Sequence, residues 1–461
     1  MSKQNNLTDF LTDVADAIRE KKGTSEKINP QDFSEEIKGI ESGIVSKEFR
    51  DVNFYDYEGT ILYSYTWDEF VAKNEMPPLP THHKGLTCQE WNYTLEEVLE
   101  QGGRCDVGAI YIPTDGNTHI KIVVVSPCTA SLGYTYSSNV SVDWGDGTVQ
   151  PIDNMSSGQG IVKHNYEIGT YEINISGEIE LWNGASCFLL PEILMTEVFT
   201  GEKCRLEAYS LANGYSLKNI TLSKQPHYLA YAFSLTNIHH LNIPKEASPL
   251  YQHPLGSKYI GTLSMPPNLS GTSVLSGMNN LSRVHLPKSV MYSLTDSYRL
   301  ISISAAANGT YTTISGNLYE GNKLVRGVNS NIADGTTIIG KESYRRCLSI
   351  DRVNIPNSVT ALESGAFQWA TSLSSPIIIP KGIVSIPNYC FYQDNKIPYF
   401  DFRAHEVIPT LVNTNAFQAI PASCKIVVPD ALYDQWIAAT NWSSLASRTV
   451  KASEFVEPTQ E

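Results

Sequence analysis

Four short stretches carry residue types suited to recognition rather than to reaction: Arg345-Arg346, Gln368-Trp369, Tyr392-Gln393-Asp394 and Gln418. A flat aromatic ring stacks on apolar faces, while amides, guanidiniums and carboxylates take up hydroxyls and charges. Such a set binds a sugar or a protein surface. Arg345, Trp369, Tyr392 and Asp394 are therefore the candidate ligand-binding residues. The competing reading is that Trp369 and Tyr392 merely pack against the next structural unit.

Signals for reactive chemistry are weak by comparison. The chain has no serine nucleophile elbow, phosphate loop, H-E-x-x-H or dinucleotide fingerprint. His82-His83 and His239-His240 are adjacent pairs, whose side chains oppose each other on a strand and do not readily share one metal. Asp143 precedes and Asp146 lies within a Trp144-Gly145-Asp146-Gly147-Thr148 hairpin, where an Asp-Gly turn needs no Ca²⁺. Eight cysteines with no C-x-x-C read as small core residues of a reduced protein. The expectation is a protein that is not an enzyme, with no catalytic residue, metal or cofactor. Carboxylate pairs for glycan hydrolysis are a remote alternative, because the fold and not the sequence sets their spacing.

The candidate binding residues recur because the sequence around them recurs. Between Leu348 and Phe402 one pattern is written twice: Val353, Ile355, Pro356, Val359, Leu362, Ala366-Phe367, Leu373, and then Ile377, Ile379, Pro380, Ile383, Ile386, Cys390-Phe391, Ile397, each 24 residues after its partner. A fixed period with matched apolar positions marks units too small to bury their own apolar faces, so that stacking supplies the core. Val353 and Ile355 alternate with Arg352 and Asn354, which predicts a short half-buried strand ended by Pro356, a residue with no N–H to donate. After a turn, Val359 and Leu362 point inward, Phe367 fills the core and Leu373 closes the coil. The candidate binding residues fall in the turn just after the core aromatic.

Weaker copies extend the array. Ala333-Asp334-Gly335 leads to Tyr344 and Leu348, Val284 to Pro287 and Leu241 to Pro244 repeat the strand, Ala208-Tyr209 precedes Ala232-Phe233, and Ala416-Phe417 follows Phe391. The predicted solenoid spans 179–430, with poor repeats near 246–280 and an insertion from Asn308 to Asn331. The Ile-Pro strand end, the Val/Ile-x-x-Leu/Ile step and the Ala-Phe pair resemble the BspA-like family of bacterial leucine-rich repeats.

The modules before the solenoid read differently. Leu7, Leu11, Val14 and Ile18 form an apolar seam at helical spacing, and Asn29-Pro30 starts a second short helix carrying Phe33, Ile37 and Ile40. Residues 1–44 are the expected anchor, with self-association, a trimer favoured, as one reading and a hairpin packed on its own chain as the other. Residues 45–105 begin strand-turn-strand from Val52 to Tyr63 with Glu58-Gly59 at the turn, and run through Met76-Pro77-Pro78-Leu79-Pro80 to Gly85 and Trp91. That order resembles the small β-grasp repeat of bacterial surface proteins. Over 106–178, period-two runs at Ile120/Ile122/Val124, Val140/Val142/Trp144 and Tyr171/Ile173/Ile175 predict an antiparallel β-sandwich. Its Trp144 hairpin, with His164-Asn165-Tyr166 and Gly169-Thr170-Tyr171, resembles a PKD-type immunoglobulin-like domain. Residues 431–461 read as a cap carrying Leu432, Trp436, Ile437 and Trp442, with Asp430 as helix cap and a loose acidic tail from Ala452.

The fold class is thus mainly β and multidomain: short N-terminal helices, a β-grasp-like module, an immunoglobulin-like sandwich and a leucine-rich-repeat solenoid with a C-terminal cap. Net charge is −14 with no Lys/Arg run, which argues against nucleic acid, and no apolar stretch is long enough for a spanning helix. No secretory signal is visible at the N-terminus. The front end over about 1–115 also resembles tail proteins of phages and prophages of Gram-positive bacteria. That resemblance implies a virion tail-fibre or baseplate-associated protein, assembled in the bacterial cytoplasm, whose partners are other tail proteins and a host surface polysaccharide or protein. The alternative is a bacterial surface adhesin with leucine-rich repeats.

Overall fold

The computed structural model describes residues 50–81, 84–182, 190–227, 229, 231–247, 255, 257–270, 274–275, 277–288, 290 and 299–458. The seam residues Leu7, Leu11, Val14 and Ile18, the second helix and His82-His83 lie outside the described residues. Gly59, at φ +89°, turns the first hairpin between β1 (Val52–Tyr55) and β2 (Ile61–Tyr65). Asp56 braces that turn by accepting the backbone N–H groups of Glu58 (2.9 Å) and Thr60 (2.7 Å). Thr66 then opens α1 (Trp67–Lys73) with a capping box to Glu69. Next come β3 (Leu86–Trp91), α2 (Leu95–Glu100) and β4 (Cys105–Pro113), giving a sheet ordered β2-β1-β4-β3 with β1 and β4 parallel at its centre. This is a β-grasp-like arrangement.

The Pro-rich segment is tied to the core by Trp91, whose indole N–H donates to the Pro77 carbonyl at 3.0 Å and whose ring meets Phe54 edge-on at 5.0 Å. Trp91→Phe keeps an aromatic ring, though a smaller one, and loses the donor. It is expected to lower unfolding free energy by about 1 kcal/mol in urea melts.

The module ends at Pro113, not at 105. Its central strand β4 was divided by the predicted boundary because all nine of its residues are buried and show no period-two signal. Beyond it, β5 (Thr118–Val124), β6 (Cys128–Asp143), β7 (Val149–Ile152), β8 (Gly160–Tyr166) and β9 (Gly169–Leu181) are antiparallel neighbours. The predicted period-two runs lie on these strands, except that Trp144 falls just past the end of β6, and Ile120, Ile122, Val142, Trp144, Ile173 and Ile175 are buried. The long pair β6–β9 bends where Gly177, at φ +91°, faces Asn139; a Cβ there would stand 2.3 Å from the Asn139 carbonyl oxygen. Asp143 and Asp146 act as turn residues, accepting the N–H groups of Gly145 and Thr148 at 2.9 Å each. Asp146 also holds His164 (2.8 Å), which stacks on Trp144 at 4.8 Å.

The solenoid is sewn into this sheet and does not start cleanly at 179. β10 (Ile193–Phe199) pairs antiparallel with β5 and parallel with β12 (Asn219–Thr221), while the end of β9 pairs parallel with β11 (Cys204–Leu206). Parallel coil strands follow: β13 (His240–Asn242) with β14 (Thr262–Ser264), then β15 (Arg283–Leu286) with β16 (Ser302–Ala305). A coil strand therefore exists within 246–280. The predicted insertion folds as a meander, β17 (Thr312–Ile314), β18 (Asn317–Glu320) and β19 (Lys323–Arg326), whose last strand joins the coil row of β20 (Ile338–Ile339) and β21 (Ala361–Leu362).

The two coils that begin at 377 and 399 have two short strands each where the period suggested one. The predicted strand at 353–355 is instead reduced to a single bridge from Asn354 to Asn331, leaving β21 as that coil's strand. One row is β22 (Ile377–Ile378), β24 (Tyr399–Asp401) and β26 (Lys425–Val428); the other is β23 (Ser385–Ile386) with β25 (Thr410–Leu411). The predicted core residues are buried apart from the half-buried Ile355 and the exposed Leu348, and the aromatics form a ladder in which Tyr344–Phe367, Phe367–Phe391 and Phe391–Phe417 lie 5.2, 5.3 and 5.5 Å apart. The cap follows: α3 (Tyr433–Ala438) and the buried Trp436 and Trp442 close the core, and β27 (Thr449–Lys451) adds to β26. Asp430 caps no α-helix; it accepts the Ser453 N–H at 3.0 Å. The tail is not loose through residue 458, since Phe455 packs on Tyr399 (4.7 Å) and Glu457 pairs with Arg403 (3.0 Å).

The modules are not beads in a row. The β-grasp-like module lies across the outward side of β13 to β16. Asp106 accepts Arg283 Nε at 3.0 Å on both carboxylate oxygens, each side chain being 5 % exposed. Asn92 donates to the Ile243 carbonyl (2.9 Å), Asn242 to those of Asp56 (2.9 Å) and Ala109 (3.1 Å), and Tyr93 to that of Met265 (2.6 Å). Gly108 permits the approach, since a Cβ there would meet Asn242 at 2.4 Å. Polar coil positions that suggest an exposed face are thus the buried floor of a docking site.

Candidate functional site

With the outward strand side of β13 to β16 covered, the recurring turn of the later coils becomes the surface to assess. Two residues before and two after each core aromatic the backbone is left-handed: Glu342 and Arg346 around Tyr344, Gly365 and Trp369 around Phe367, Tyr389 and Gln393 around Phe391. A residue with a Cβ pays roughly 1–2 kcal/mol for that conformation. Coil-to-coil hydrogen bonds offset it: the N–H groups of Arg346, Trp369 and Gln393 donate to the carbonyls of Gln368 (3.0 Å), Tyr392 (2.9 Å) and Gln418 (3.0 Å). The result is one row in which Arg346, Trp369 and Gln393 stand side by side.

That row borders an open groove of about 470 Å³ lined by Arg346, Leu348, Trp369, Thr371 and Gln393. The Arg346 guanidinium carbon lies 4.5 Å from the Trp369 ring centre and that of Arg345 lies 4.9 Å away. Tyr392 meets the same indole edge-on at 6.1 Å and is braced by Tyr389 at 5.5 Å. The indole face fixes the plane of the guanidiniums held against it. Chemically, the groove offers donors and an aromatic face and suits an anionic or hydroxylated ligand.

Of the four candidate residues, three come together. Trp369 lines the groove, Tyr392 supports it from the side, and Arg345 lies over the ring while donating to Glu342 at 3.1 Å. Trp369 and Tyr392 therefore do pack on neighbouring coils, and Trp369 also reaches the groove. Asp394 does not belong to this surface. It is 0 % exposed, neither carboxylate oxygen makes a hydrogen bond, and burial pushes its carboxyl well above the usual range. The turn drives it inward because it sits three residues past Phe391, in the column of Ala370 and Cys347. Arg346 and Gln393, rather than their neighbours, face the groove. Reading the period position by position identifies them, since both align with Trp369.

Among the described residues no group of three or more metal-ligating side chains converges, and no helix is long and apolar enough to cross a membrane.

A family model described as the BspA type leucine rich repeat region matches six copies over residues 194–303 and 312–434. Among solved structures, a leucine rich cell surface protein from Faecalibacterium prausnitzii A2-165 aligns at 16 % identity over 60 % of this chain and 87 % of its own, with a TM-score of 0.37. A leucine-rich repeat protein from Bacteroides ovatus ATCC 8483 aligns at 15 % identity over 60 % and 88 %, with a TM-score of 0.36. No curated protein sequence matches the chain.

Proposed function

The chain belongs to the BspA-type leucine-rich-repeat family, and from that premise we propose that it is a non-catalytic recognition protein of a bacterial surface, an adhesin in type. The observation that carries this reading is the turn-side groove, where Arg346, Trp369 and Gln393 stand in one row beside Tyr392. Its ligand is an anionic surface polymer: Arg346, which lines the groove, takes the charge, the Gln393 amide takes hydroxyls and the indole takes an apolar face.

The repeat match, over about half of the chain, supports the adhesin reading over the tail-protein reading. The latter draws on the front end, whose described part is the β-grasp-like module docked against β13 to β16. A tail role, a homotrimer built on the Leu7 to Ile18 seam and a place in a virion remain proposals of second rank.

The test uses the full chain, because β9 and β10 belong both to the sheet of β5 to β8 and to the solenoid, and a cut at 178 passes through β9. Saturable binding to intact Gram-positive cells is expected, falling when surface polysaccharide is trimmed. Trp369→Ala should weaken it about tenfold or more while the chain stays folded at the assay temperature, as circular dichroism would check. Equal binding by the variant would remove the groove from the proposal.

A further inference from the structure

A second and larger concavity lies where three parts of the chain meet. It has two lobes, of about 520 and 460 Å³, which share Arg104 and Gly316. The floor is the start of the coil strands, at Ser282, Ile301 and Ser302. One wall is the Gln101–Arg104 turn of the β-grasp-like module together with Asp51 and Trp67; the other is the meander turn at Ser315-Gly316 with Asn329 and Asn331. Clefts at domain junctions with volumes of roughly 300–1,000 Å³ are where small ligands are most often held.

The cleft is preformed. The Ala307 N–H donates to the Gln101 carbonyl at 2.8 Å, and Gly102, at φ +67°, sits so close to Ala307 that a Cβ would stand 2.6 Å from the Ala307 Cβ. Arg104 reaches across to Ser302 Oγ at 3.1 Å. Wall and floor are thereby fixed to each other.

Its charges are balanced. The Arg104 guanidinium lies 3.6 Å from the Asp51 carboxylate, and Arg283 below is held by Asp106 at 3.0 Å. On a chain of net charge −14, a cleft whose cations already have carboxylates gives an anion no advantage. The walls instead mix donors and acceptors: the hydroxyls of Ser282, Ser302 and Ser315 and the amides of Asn329 and Asn331 line one lobe, and Trp67 with Thr312 and Thr313 lines the other. Paired hydroxyls of a sugar need that mixture, with an aromatic or aliphatic surface for the C–H face.

We infer that this junction cleft binds a neutral oligosaccharide, with Arg104 and Asp51 as a donor–acceptor pair at its centre. Continuity of the two lobes through Arg104 and Gly316 fits a short chain of sugars rather than a single ring. The site is separate from the Trp369 groove and does not rest on the function proposed for it.

The experiment is calorimetric titration of the full chain with neutral tetrasaccharides of α-glucan, β-glucan, chitin and galactan, and with trigalacturonate as the anionic arm. At least one neutral probe is expected to bind saturably below about 1 mM and at least tenfold tighter than trigalacturonate. Arg104→Gln should weaken that binding about tenfold or more, and Trp369→Ala should leave it unchanged. Should Arg104→Gln fold poorly, Asn331→Trp, at an exposed rim position, blocks the cleft and is expected to abolish binding. Absence of binding by every neutral probe, preference for trigalacturonate, or full binding by Asn331→Trp would each overturn the assignment, and loss of cell binding by Trp369→Ala alone would not touch it.

Discussion

Replacing Asp394 by alanine is expected to stabilise the protein by about 3 kcal/mol at neutral pH, the scale of an uncompensated buried charge. The column three residues past the core aromatic holds Thr236, Cys347, Ala370 and Asp394, all 0 % exposed. Thr236 solves its polarity locally by donating its hydroxyl to the Phe233 carbonyl at 2.8 Å. Asp394 can do the same toward Phe391 only when protonated. Burial raises its carboxyl well above the ordinary value of 3.8. Since the folded-state pKa is raised, the stability contributed by the neutral form is complete below the unfolded value and is lost as pH rises through the folded one. The gain from Asp394→Ala is therefore largest at pH 7 and shrinks below pH 4. Asp394→Asn should recover only part of it, because its amide donates but its oxygen stays unpaired. Chemical denaturation at pH 7 and pH 4 measures both effects. An alanine variant no more stable than the parent at pH 7 would show that the carboxyl carries no penalty.

Acidification is expected to weaken the fold steeply, and at the docking site first. His227, His240 and His285 are buried, and burial lowers each from 6.5 to about 4. Each uses both ring nitrogens. His227 accepts the Leu206 N–H (3.1 Å) and donates to the Ser223 carbonyl (3.0 Å). His240 donates to Asn242 Oδ1 (2.8 Å) and meets the Thr262 hydroxyl, while His285 donates to Gln101 Oε1 (3.1 Å) and meets the Ser304 hydroxyl (2.9 Å). A second proton on His227 would point at the Leu206 N–H; on His240 and His285 it would turn the Thr262 and Ser304 hydroxyls from donors into acceptors, and burial opposes the charge in all three. Between pH 6.5 and 4 the unfolded chain thus binds more protons than the native one. Stability is full above 6.5 and falls by about 1.4 kcal/mol per pH unit per histidine, or about 3 kcal/mol each by pH 4. His240 and His285 contact the β-grasp-like module, so hydrogen exchange along β4 should rise before exchange in the later coils. In His285→Gln the slope should drop by one proton. Stability that stays level between pH 6.5 and 4.5 would contradict the neutral buried assignment.

The 24-residue period, the Ile-Pro strand ends and the Phe367–Phe391 pair were enough to place the solenoid, its core column and its closing cap, because each coil repeats the same apolar demand. Alternation likewise placed the strands around Ile120, Val142 and Ile173. Two kinds of residue escaped that logic. Cys105–Pro113 is buried on both faces, so its alternation vanishes and the module boundary was set too early. Asp394 is polar and was placed outside, yet its turn position points it into the core column.

Side chains at Arg346, Trp369 and Gln393 form a row because the left-handed turn residues are fixed by hydrogen bonds to the next coil, a condition no single repeat contains. Only the tertiary structure decided that Asn242, Arg283 and His285 are inside: patterning treats polarity as a sign of exposure, and here a second module supplies the Asp56 and Ala109 carbonyls, Asp106 and Gln101 that make their burial possible. The chain's own period determined how each coil closes. What lies against the coils was decided by contacts between residues more than 100 positions apart, such as Asn92 with Ile243, which no local spacing encodes.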